Sequence, residues 1–208
     1  MGKLFEKIID ALFPKEMSVL ELEKMSPIQM ANAFRKVDSQ NEIHSLFSYK
    51  DRKIKILVSE IKHHQNKILI EKTSELMIEK ILEIFEDDLQ FGDHKIYLVP
   101  IPSSNSRLNE RGYNPSELIV RKICESRTDL FSYAPILKKI RETKRQTNLQ
   151  RSERLTNLVG AFNATEKNNF GSCVLIDDVS TTGATISEAI RALQEKNIFT
   201  KGAVVIAK

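Results

Sequence analysis

The segment from Cys173 to Leu193 constrains the fold most, because an apolar strand pattern changes there into a polar loop and then into a helix pattern. Residues 173–176 are continuously apolar, which is typical of a strand buried on both faces. After a loop that contains Gly183, an apolar stripe at helical spacing follows: Ile186, Ala189, Ile190 and Leu193. Residues 203–207 indicate a further strand. Strand, helix and strand in this order predict a right-handed crossover in a parallel sheet with helices on its faces.

A second strand, loop and helix precede this unit. Residues 96–101 (IYLVPI) read as a buried strand that the neighbouring prolines close, and Gly112 precedes a helix that Asn114 is predicted to cap. Pro115 in the first turn and Glu117 three residues after the cap complete a capping-box pattern. Two amphipathic helices are predicted upstream, over residues 51–62 and 67–87. Ligands of such sheets bind at the carboxyl ends of the strands.

Length and composition fit one main α/β domain with a smaller appendage. The chain has 208 residues, 41% hydrophobic and 29% charged, and a net charge of +4 that suits a phosphorylated ligand. Cys124 in a helix and Cys173 in a strand support neither a disulfide framework nor a cysteine metal site, and we expect a cytoplasmic protein. No apolar run is long enough to span a membrane. The apolar stripe in residues 4–12 (LFEKIIDAL) predicts a short helix, read as a cap on the main domain rather than a membrane or partner contact.

The loop after residue 176 (DDVSTTGAT) carries the chemistry. Its small residues let backbone N–H groups converge on a phosphate, and the helix N-terminus adds a favourable partial charge. Four hydroxyls add donors: Ser180, Thr181, Thr182 and Thr185. The carboxylates of Asp177 and Asp178 can accept hydrogen bonds from a vicinal diol of ribose and can orient water on Mg²⁺. The alternative, the second acidic motif of a nucleoside triphosphatase, lacks the G-x-x-x-x-G-K-[ST] partner motif, so a ribose-phosphate site is favoured.

The segment from Val174 to Thr185 resembles the signature of type I phosphoribosyltransferases. Two upstream motifs, V-P-I-P-x5-L-x-E-R-G-Y-N-x-x-E-L at residues 99–118 and R-x-T-x-x-Q-x-x-L-x-x-x-E-R-x-x-N-x-x-G-A-F at residues 141–162, resemble the ComF family of competence-associated phosphoribosyltransferase-like proteins. A weaker similarity runs from Tyr49 to Lys62. The resemblance covers residues 47–208, which we take as the phosphoribosyltransferase-like domain, and residues 1–46 as a helical N-terminal segment. It implies an α/β type I phosphoribosyltransferase fold, a mainly parallel twisted sheet with helices on both faces.

The resemblance also implies residue roles for binding phosphoribosyl pyrophosphate (PRPP). Asp177 and Asp178 would hold the ribose hydroxyls with Mg²⁺ nearby, bound through water or the ligand. The 5′-phosphate would bind in the loop formed by Thr181, Thr182, Gly183, Ala184 and Thr185, and the pyrophosphate in the loop formed by Ser103, Ser104 and Asn105. Arg111 and Arg107 are suited to neutralising pyrophosphate through a guanidinium fork, the alternative being solvated surface charges. Four residues fall in a segment that resembles a mobile flap, or else a charged connecting loop: Arg141, Lys144, Gln146 and Arg154.

Members of this family commonly carry paired C-x-x-C zinc ligands after the first helix, whereas residues 15–45 contain no cysteine. The four histidines (His44, His63, His64 and His94) do not rebuild such a site, so no zinc is expected. The leading hypothesis is a phosphoribosyltransferase, a transferase of the glycosyltransferase class, that uses PRPP as co-substrate, Mg²⁺ as cofactor and an unassigned, nucleobase-like acceptor. The rival is a non-catalytic PRPP sensor or a DNA-uptake factor in natural transformation. In the rival, the lysine-rich residues 49–67 contact single-stranded DNA or DNA-uptake proteins; a solvated helical face is the plainer reading, because aromatic residues that stack bases are sparse there.

Overall fold

A computed structural model describes residues 17–34, 37–40, 42–86, 95–141, 158–165 and 173–208. The described part begins with helices α1 (Met17–Lys24) and α2 (Pro27–Ala33). Strands β1 (Val37–Gln40) and β2 (Ile43–Phe47) follow them. Two longer helices come next, α3 (Arg52–His64) and α4 (Lys67–Ile84). The first half of the site-bearing region comprises β3 (Ile96–Pro100), α5 (Asn105–Arg111) and α6 (Pro115–Ser126).

The second half of the chain completes the sheet. Three short strands are β4 (Phe131–Tyr133), β5 (Leu137–Lys139) and β6 (Phe162–Ala164), and the last unit is β7 (Cys173–Val179), α7 (Ala184–Gln194) and β8 (Thr200–Ala207). The main sheet has the strand order β1-β2-β8-β7-β3-β4. Strands β2, β8, β7, β3 and β4 are parallel, and β1 is antiparallel to β2 at the edge. Strands β5 and β6 form a separate antiparallel pair.

Helices and strand pairs cover both faces of this sheet, and side-chain alternation along β7 shows how. Val174 and Ile176 face a core that α3, α4 and α6 complete, whereas Cys173 and Leu175 face a second core built with α7 and the β5–β6 pair. All four side chains are fully buried. A continuously apolar strand is expected for a sheet covered on both faces. The predicted α/β fold, a mainly parallel sheet between layers of helices with a helical N-terminal segment, is therefore confirmed.

Helices α3 and α4 begin and bury residues as their sequence pattern predicts. The carboxylate of Asp51 caps α3 by accepting from the Lys53 backbone N–H at 2.7 Å, and the side chain of Asn66 caps α4 by accepting from the Leu69 N–H at 3.2 Å. The apolar stripe of α3 is buried, as expected of a period of 3.6 residues: Ile54, Leu57, Val58 and Ile61. Capping thus fixes where α3 and α4 begin, and burial holds the apolar face of α3 against the core.

Three features differ from the sequence expectations. Asn114 occupies the N-cap position of α6, but its side chain makes no capping hydrogen bond there, so the predicted capping box is wrong. Strand β7 continues to Val179, because it pairs with β8 over that length, and the two aspartates lie inside the strand rather than after it. Strands β1 and β2, which were not predicted, arise in a stretch that has no clear alternation. The predicted helix at residues 4–12 lies outside the described residues.

Candidate functional site

A cavity of about 230 Å³ lies at the carboxyl ends of β3 and β7. Seven of the residues predicted for the site line it: Ser103, Arg107, Arg111, Asp177, Asp178, Thr181 and Thr185. Ten further residues line it, of which six have polar or aromatic side chains that were not assigned to this site from sequence: Tyr49, Lys62, Asn114, Ser116, Lys139 and Phe162. The cavity therefore joins the loop after β3, the loop after β7 and the last part of α3, as expected for a parallel sheet.

The two aspartates at the end of β7 differ in their partners. The Asp177 carboxylate accepts a hydrogen bond from the Ser116 hydroxyl at 3.0 Å and another from the Asp178 backbone N–H at 2.9 Å. Asp178 instead pairs with Lys62, whose Nζ lies 3.0 Å from Asp178 Oδ1. Burial, followed by the neighbouring charge of Asp178, raises the pKa of Asp177 to about 7. The pair therefore presents one carboxylate that resists ionisation and one that a lysine neutralises.

The loop after β7 turns sharply into α7 at Gly183. This residue occupies the N-cap position with a positive φ of 80°, a conformation that favours glycine, and a Cβ there would lie 3.0 Å from Ile43 Cδ1. The Ser180 backbone N–H donates to the Ala207 carbonyl at 3.0 Å and so ties the loop to β8. Thr181 and Thr185 reach the cavity, whereas Ser180, Thr182, Gly183 and Ala184 shape the loop without lining it. The Ser180 hydroxyl is buried and has no hydrogen-bond partner among the described residues.

The loop after β3 places two arginines on the opposite wall. Ser104 caps α5 by accepting from the Arg107 backbone N–H at 3.4 Å, and Asn105 begins that helix with an exposed side chain; neither lines the cavity. Ser103 and Arg107 do line it. Arg111 ends α5, and its Nε is buried without a hydrogen-bond partner among the described residues. A buried guanidinium N–H without a partner is costly, so this wall favours an anion in the cavity.

The turn between α5 and α6 holds the three walls together. The Asn114 amide donates to the Ile101 carbonyl at 2.9 Å and accepts from the Ser103 hydroxyl at 3.1 Å. The Tyr113 hydroxyl donates to the Ile61 carbonyl of α3 at 3.2 Å. Because the Ser116 hydroxyl donates to Asp177, three residues within one four-residue stretch contact α3, the β3 loop and β7. This use of Asn114 explains why its side chain does not cap α6.

The flap predictions are only partly within the described residues. Lys144, Gln146 and Arg154 lie outside them. Arg141 is exposed, donates to the Val159 carbonyl at 2.6 Å and does not line the cavity. At the two ends of this segment, Lys139 and Phe162 do line the cavity, and Lys139 Nζ lies 5.7 Å from the Phe162 ring centroid. Phe162 belongs to the quoted G-A-F motif, which was the available signal for it.

The donor set at the acidic pair fits magnesium bound together with a phosphorylated ligand. Mg²⁺ prefers oxygen ligands and is usually held by one or two carboxylates plus substrate phosphates, not by a complete protein cage. Asp177 and Asp178 supply such carboxylates at the cavity wall. No group of three or more His, Cys, Asp or Glu side chains able to hold a metal occurs among the described residues. Water and phosphate oxygens of a ligand would therefore complete the coordination.

The charges that line the cavity favour an anionic ligand, and its acidic pair can bind a cation. Four lining residues are basic, Lys62, Arg107, Arg111 and Lys139, and two are acidic. The acidic pair lies at the end of β7, and Arg107 and Arg111 lie on the α5 wall. A mainly parallel sheet with an acidic strand end, a Thr/Gly loop and a helix N-terminus at one cavity defines the class of type I phosphoribosyltransferase-like folds.

Two relatives are similar to part of this chain. The chain is 32% identical over 104 residues to "Competence protein F" of Haemophilus influenzae, which covers 49% of this chain and 45% of that protein. It is 34% identical over 124 residues to "Competence protein ComFC" of Bacillus subtilis. The matched residues make up 56% of this chain and 48% of that protein. Both similarities support assignment of the chain to the ComF family. The chain spans about half the length of these curated relatives, and no protein-family model matches it.

The helices give no sign of a membrane-spanning segment. None of those in the described part of the chain combines the length and the apolar character that crossing a bilayer requires.

Proposed function

We propose that this chain binds PRPP with Mg²⁺ and transfers its ribose 5-phosphate to an acceptor. The observation that carries the proposal is the acidic pair Asp177–Asp178, which opens directly into the Thr181–Thr185 loop and shares one cavity with Arg107 and Arg111. A vicinal diol, a phosphate and a pyrophosphate are the three groups that these walls suit. PRPP carries all three.

In this proposal the residues act by position and charge. The acidic pair orients the ribose hydroxyls, and the N–H groups at the start of α7 hold the 5′-phosphate. The acceptor nitrogen forms a bond to C1 of the ribose as the C1–O bond breaks, and pyrophosphate leaves with the electron pair. Arg107 and Arg111 stabilise the charge that develops on the departing pyrophosphate, and bound Mg²⁺ would supply further neutralisation. Holding both reactants in one small cavity lowers the entropic part of the barrier.

Calorimetric titration tests the binding step. We expect the unaltered protein to bind PRPP in the presence of Mg²⁺, and the double variant Asp177→Asn, Asp178→Asn to lose at least about tenfold in affinity, because two charge-assisted contacts are removed. Asp129→Asn is the matched control, since Asp129 lies on the surface and pairs with Arg127. The absence of PRPP binding by the unaltered protein would contradict the proposal.

Pyrophosphate release tests the transfer step. Addition of a nucleobase acceptor to protein, PRPP and Mg²⁺ should release pyrophosphate, and a base-by-base screen identifies the acceptor. Binding of PRPP without release for any base tested would favour the non-catalytic alternative, a PRPP sensor.

A second candidate is single-stranded DNA handling in a competence-related role. The names of both relatives refer to competence, which favours this context. In the structure, the first turn of α3 exposes Arg52, Lys53 and Lys55. The two candidates involve different surfaces, because none of these three side chains lines the cavity.

A further inference from the structure

Lys62 contributes an ion pair to the cavity that differs from those on the surface. Its Nζ lies 3.0 Å from Asp178 Oδ1, and the two side chains are only 22% and 14% exposed. Lys53, which is also on α3, pairs with Glu21 of α1, and those two side chains are 46% and 52% exposed. Water screens an exposed pair strongly and a mostly buried pair much less. Lys62 is therefore a substantial part of the electrostatics of the acidic pair.

The backbone on both sides of Lys62 is anchored to the neighbouring turn. The Tyr113 hydroxyl donates to the Ile61 carbonyl at 3.2 Å and accepts from the Gln65 backbone N–H at 3.2 Å. Gln65 ends α3 in the left-handed conformation, with φ of 47°. The last turn of α3 is thus fixed against the α5–α6 turn, and Lys62 reaches Asp178 from a held position rather than from a mobile surface.

The ion pair places the Lys62 ammonium where the proposed anionic ligand needs a cation. A metal ion would compete with this ammonium for the Asp178 carboxylate. Asp178 Oδ1 faces the cavity together with Lys62, so Mg²⁺ approaching the acidic pair meets a positive charge already there. The ammonium group has three donors, and a phosphate oxygen in the cavity would be an alternative partner for it. Metal and anion therefore have opposite effects on the same lysine: the metal competes with it, and the anion is attracted by it.

On the basis of the proposed function, we propose that Lys62 is a positioning residue that acts as a resident counter-ion of Asp178. In the ligand-free protein it neutralises Asp178, and on binding of PRPP with Mg²⁺ it passes to a phosphate oxygen of the donor. This exchange makes metal and anionic donor bind together more tightly than either binds alone. A lysine with a purely structural role would not connect the two affinities.

Two titrations of Lys62→Gln test this role, one with Mg²⁺ alone and one with inorganic pyrophosphate in the absence of metal. We expect Mg²⁺ to bind about tenfold more tightly and pyrophosphate about tenfold more weakly, because one nearby charge changes the energy of a charged group by this order. The matched control is Lys53→Gln, which removes the same charge and an ion pair from the same helix, and which should change neither affinity. Lys62→Arg, which keeps the charge, should retain most of the original behaviour.

Unchanged affinities in Lys62→Gln, or two affinities that move in the same direction, would overturn the inference. Thermal unfolding checks that the variant folds. If it does not fold, Asp178→Asn replaces it: releasing Lys62 should tighten metal-free pyrophosphate binding several-fold, and unchanged or weaker binding contradicts the inference. Failure of the proposed function is a separate outcome, in which the unaltered protein binds no PRPP at all. If the unaltered protein binds PRPP and Lys62→Gln binds it with the same affinity, only the role of Lys62 is refuted.

Discussion

At the scale of single residues, Asp177 shows how the site conflicts with stability. Its carboxylate is inside the end of β7, next to a second carboxylate, and its partners are the Ser116 hydroxyl and the Asp178 N–H. Among the described residues no cation forms an ion pair with it, since Lys62 pairs with Asp178. Burial of an ionised carboxylate costs free energy unless it is compensated, which is why its pKa is raised to about 7.

The sign of the resulting pH dependence follows from linkage. A group whose pKa is raised from 3.8 in the unfolded chain to about 7 in the folded protein binds more protons when folded between those values. Its contribution to stability is therefore fully present below pH 4 and is lost as the pH rises through 7. We predict that Asp177→Asn stabilises the ligand-free protein by about 1 to 3 kcal/mol at pH 8 and by less at pH 5.

Thermal or urea unfolding with a chelator present measures this difference at the two pH values. Asp129→Asn is the control, because Asp129 is a surface residue whose pKa the Arg127 side chain lowers, so its removal should not stabilise the protein at pH 8. A destabilised Asp177→Asn variant at pH 8, or a gain that is equal at both pH values, would contradict the prediction.

At the scale of elements, the sequence pattern predicts helices and strands that bury a continuous face or segment. It does not predict strands whose place depends on pairing with distant parts of the chain. The stripes of α3, α4 and α7 and the apolar runs of β3 and β7 identified those elements, because one continuous face or segment is buried in each. Strands β1 and β2 were not predicted, since they are short and gain their place by pairing with each other and β8. The spacing of apolar residues within a short segment does not indicate such pairing.

The site shows the same division. The segments 103–111 and 177–185 are each continuous in sequence, and seven of their residues were assigned to the site and line the cavity. Lys62 was grouped with a solvated lysine-rich face, because it lies over a hundred residues from Asp178 and only the fold brings the two together. The similarity from Tyr49 to Lys62 was the one sequence signal for it. Asn114 was read as a helix cap for a related reason, since its partners Ile101 and Ser103 become neighbours only when the loop closes.

Tyr113 is the element-scale test, because its hydroxyl is the described side-chain link between the end of α3 and the α5–α6 turn. We expect Tyr113→Phe to lose about 1 kcal/mol of stability, the usual contribution of such hydrogen bonds, and to weaken PRPP binding several-fold because Lys62 is held less firmly. Unfolding and calorimetric titration measure the two effects.

The matched control is Tyr133→Phe. The Tyr133 hydroxyl donates to the Glu117 carboxylate at 2.9 Å, and Tyr133 does not line the cavity. It should show a similar loss of stability and no change in binding. Equal effects of the two variants on PRPP affinity would mean that the link from Tyr113 to α3 does not position the site.

At the scale of the whole molecule, the sheet restricts where a ligand can approach it. Its two faces are buried beneath helices and the β5–β6 pair, so ligands have access at the carboxyl edge, where the cavity lies. The net charge of +4 is modest, and the lysine-rich residues 49–67 contain a single aromatic residue, Tyr49, so a surface for stacking bases is not indicated there. Contact with nucleic acid would then depend mainly on the exposed cations at the start of α3.

Single-stranded DNA binding is accordingly predicted to be weak, electrostatic and independent of the cavity. If Arg52, Lys53 and Lys55 neutralise three phosphates, the logarithm of the binding constant should fall with the logarithm of salt concentration with a slope of about −2. Changing these three residues to Gln should abolish binding and leave PRPP affinity intact. The control changes three cations elsewhere, Arg121, Lys122 and Arg127, and should retain the original slope. Fluorescence anisotropy at a series of salt concentrations measures this slope, and the absence of binding at low salt would remove the DNA-handling candidate, because counterion release is strongest there.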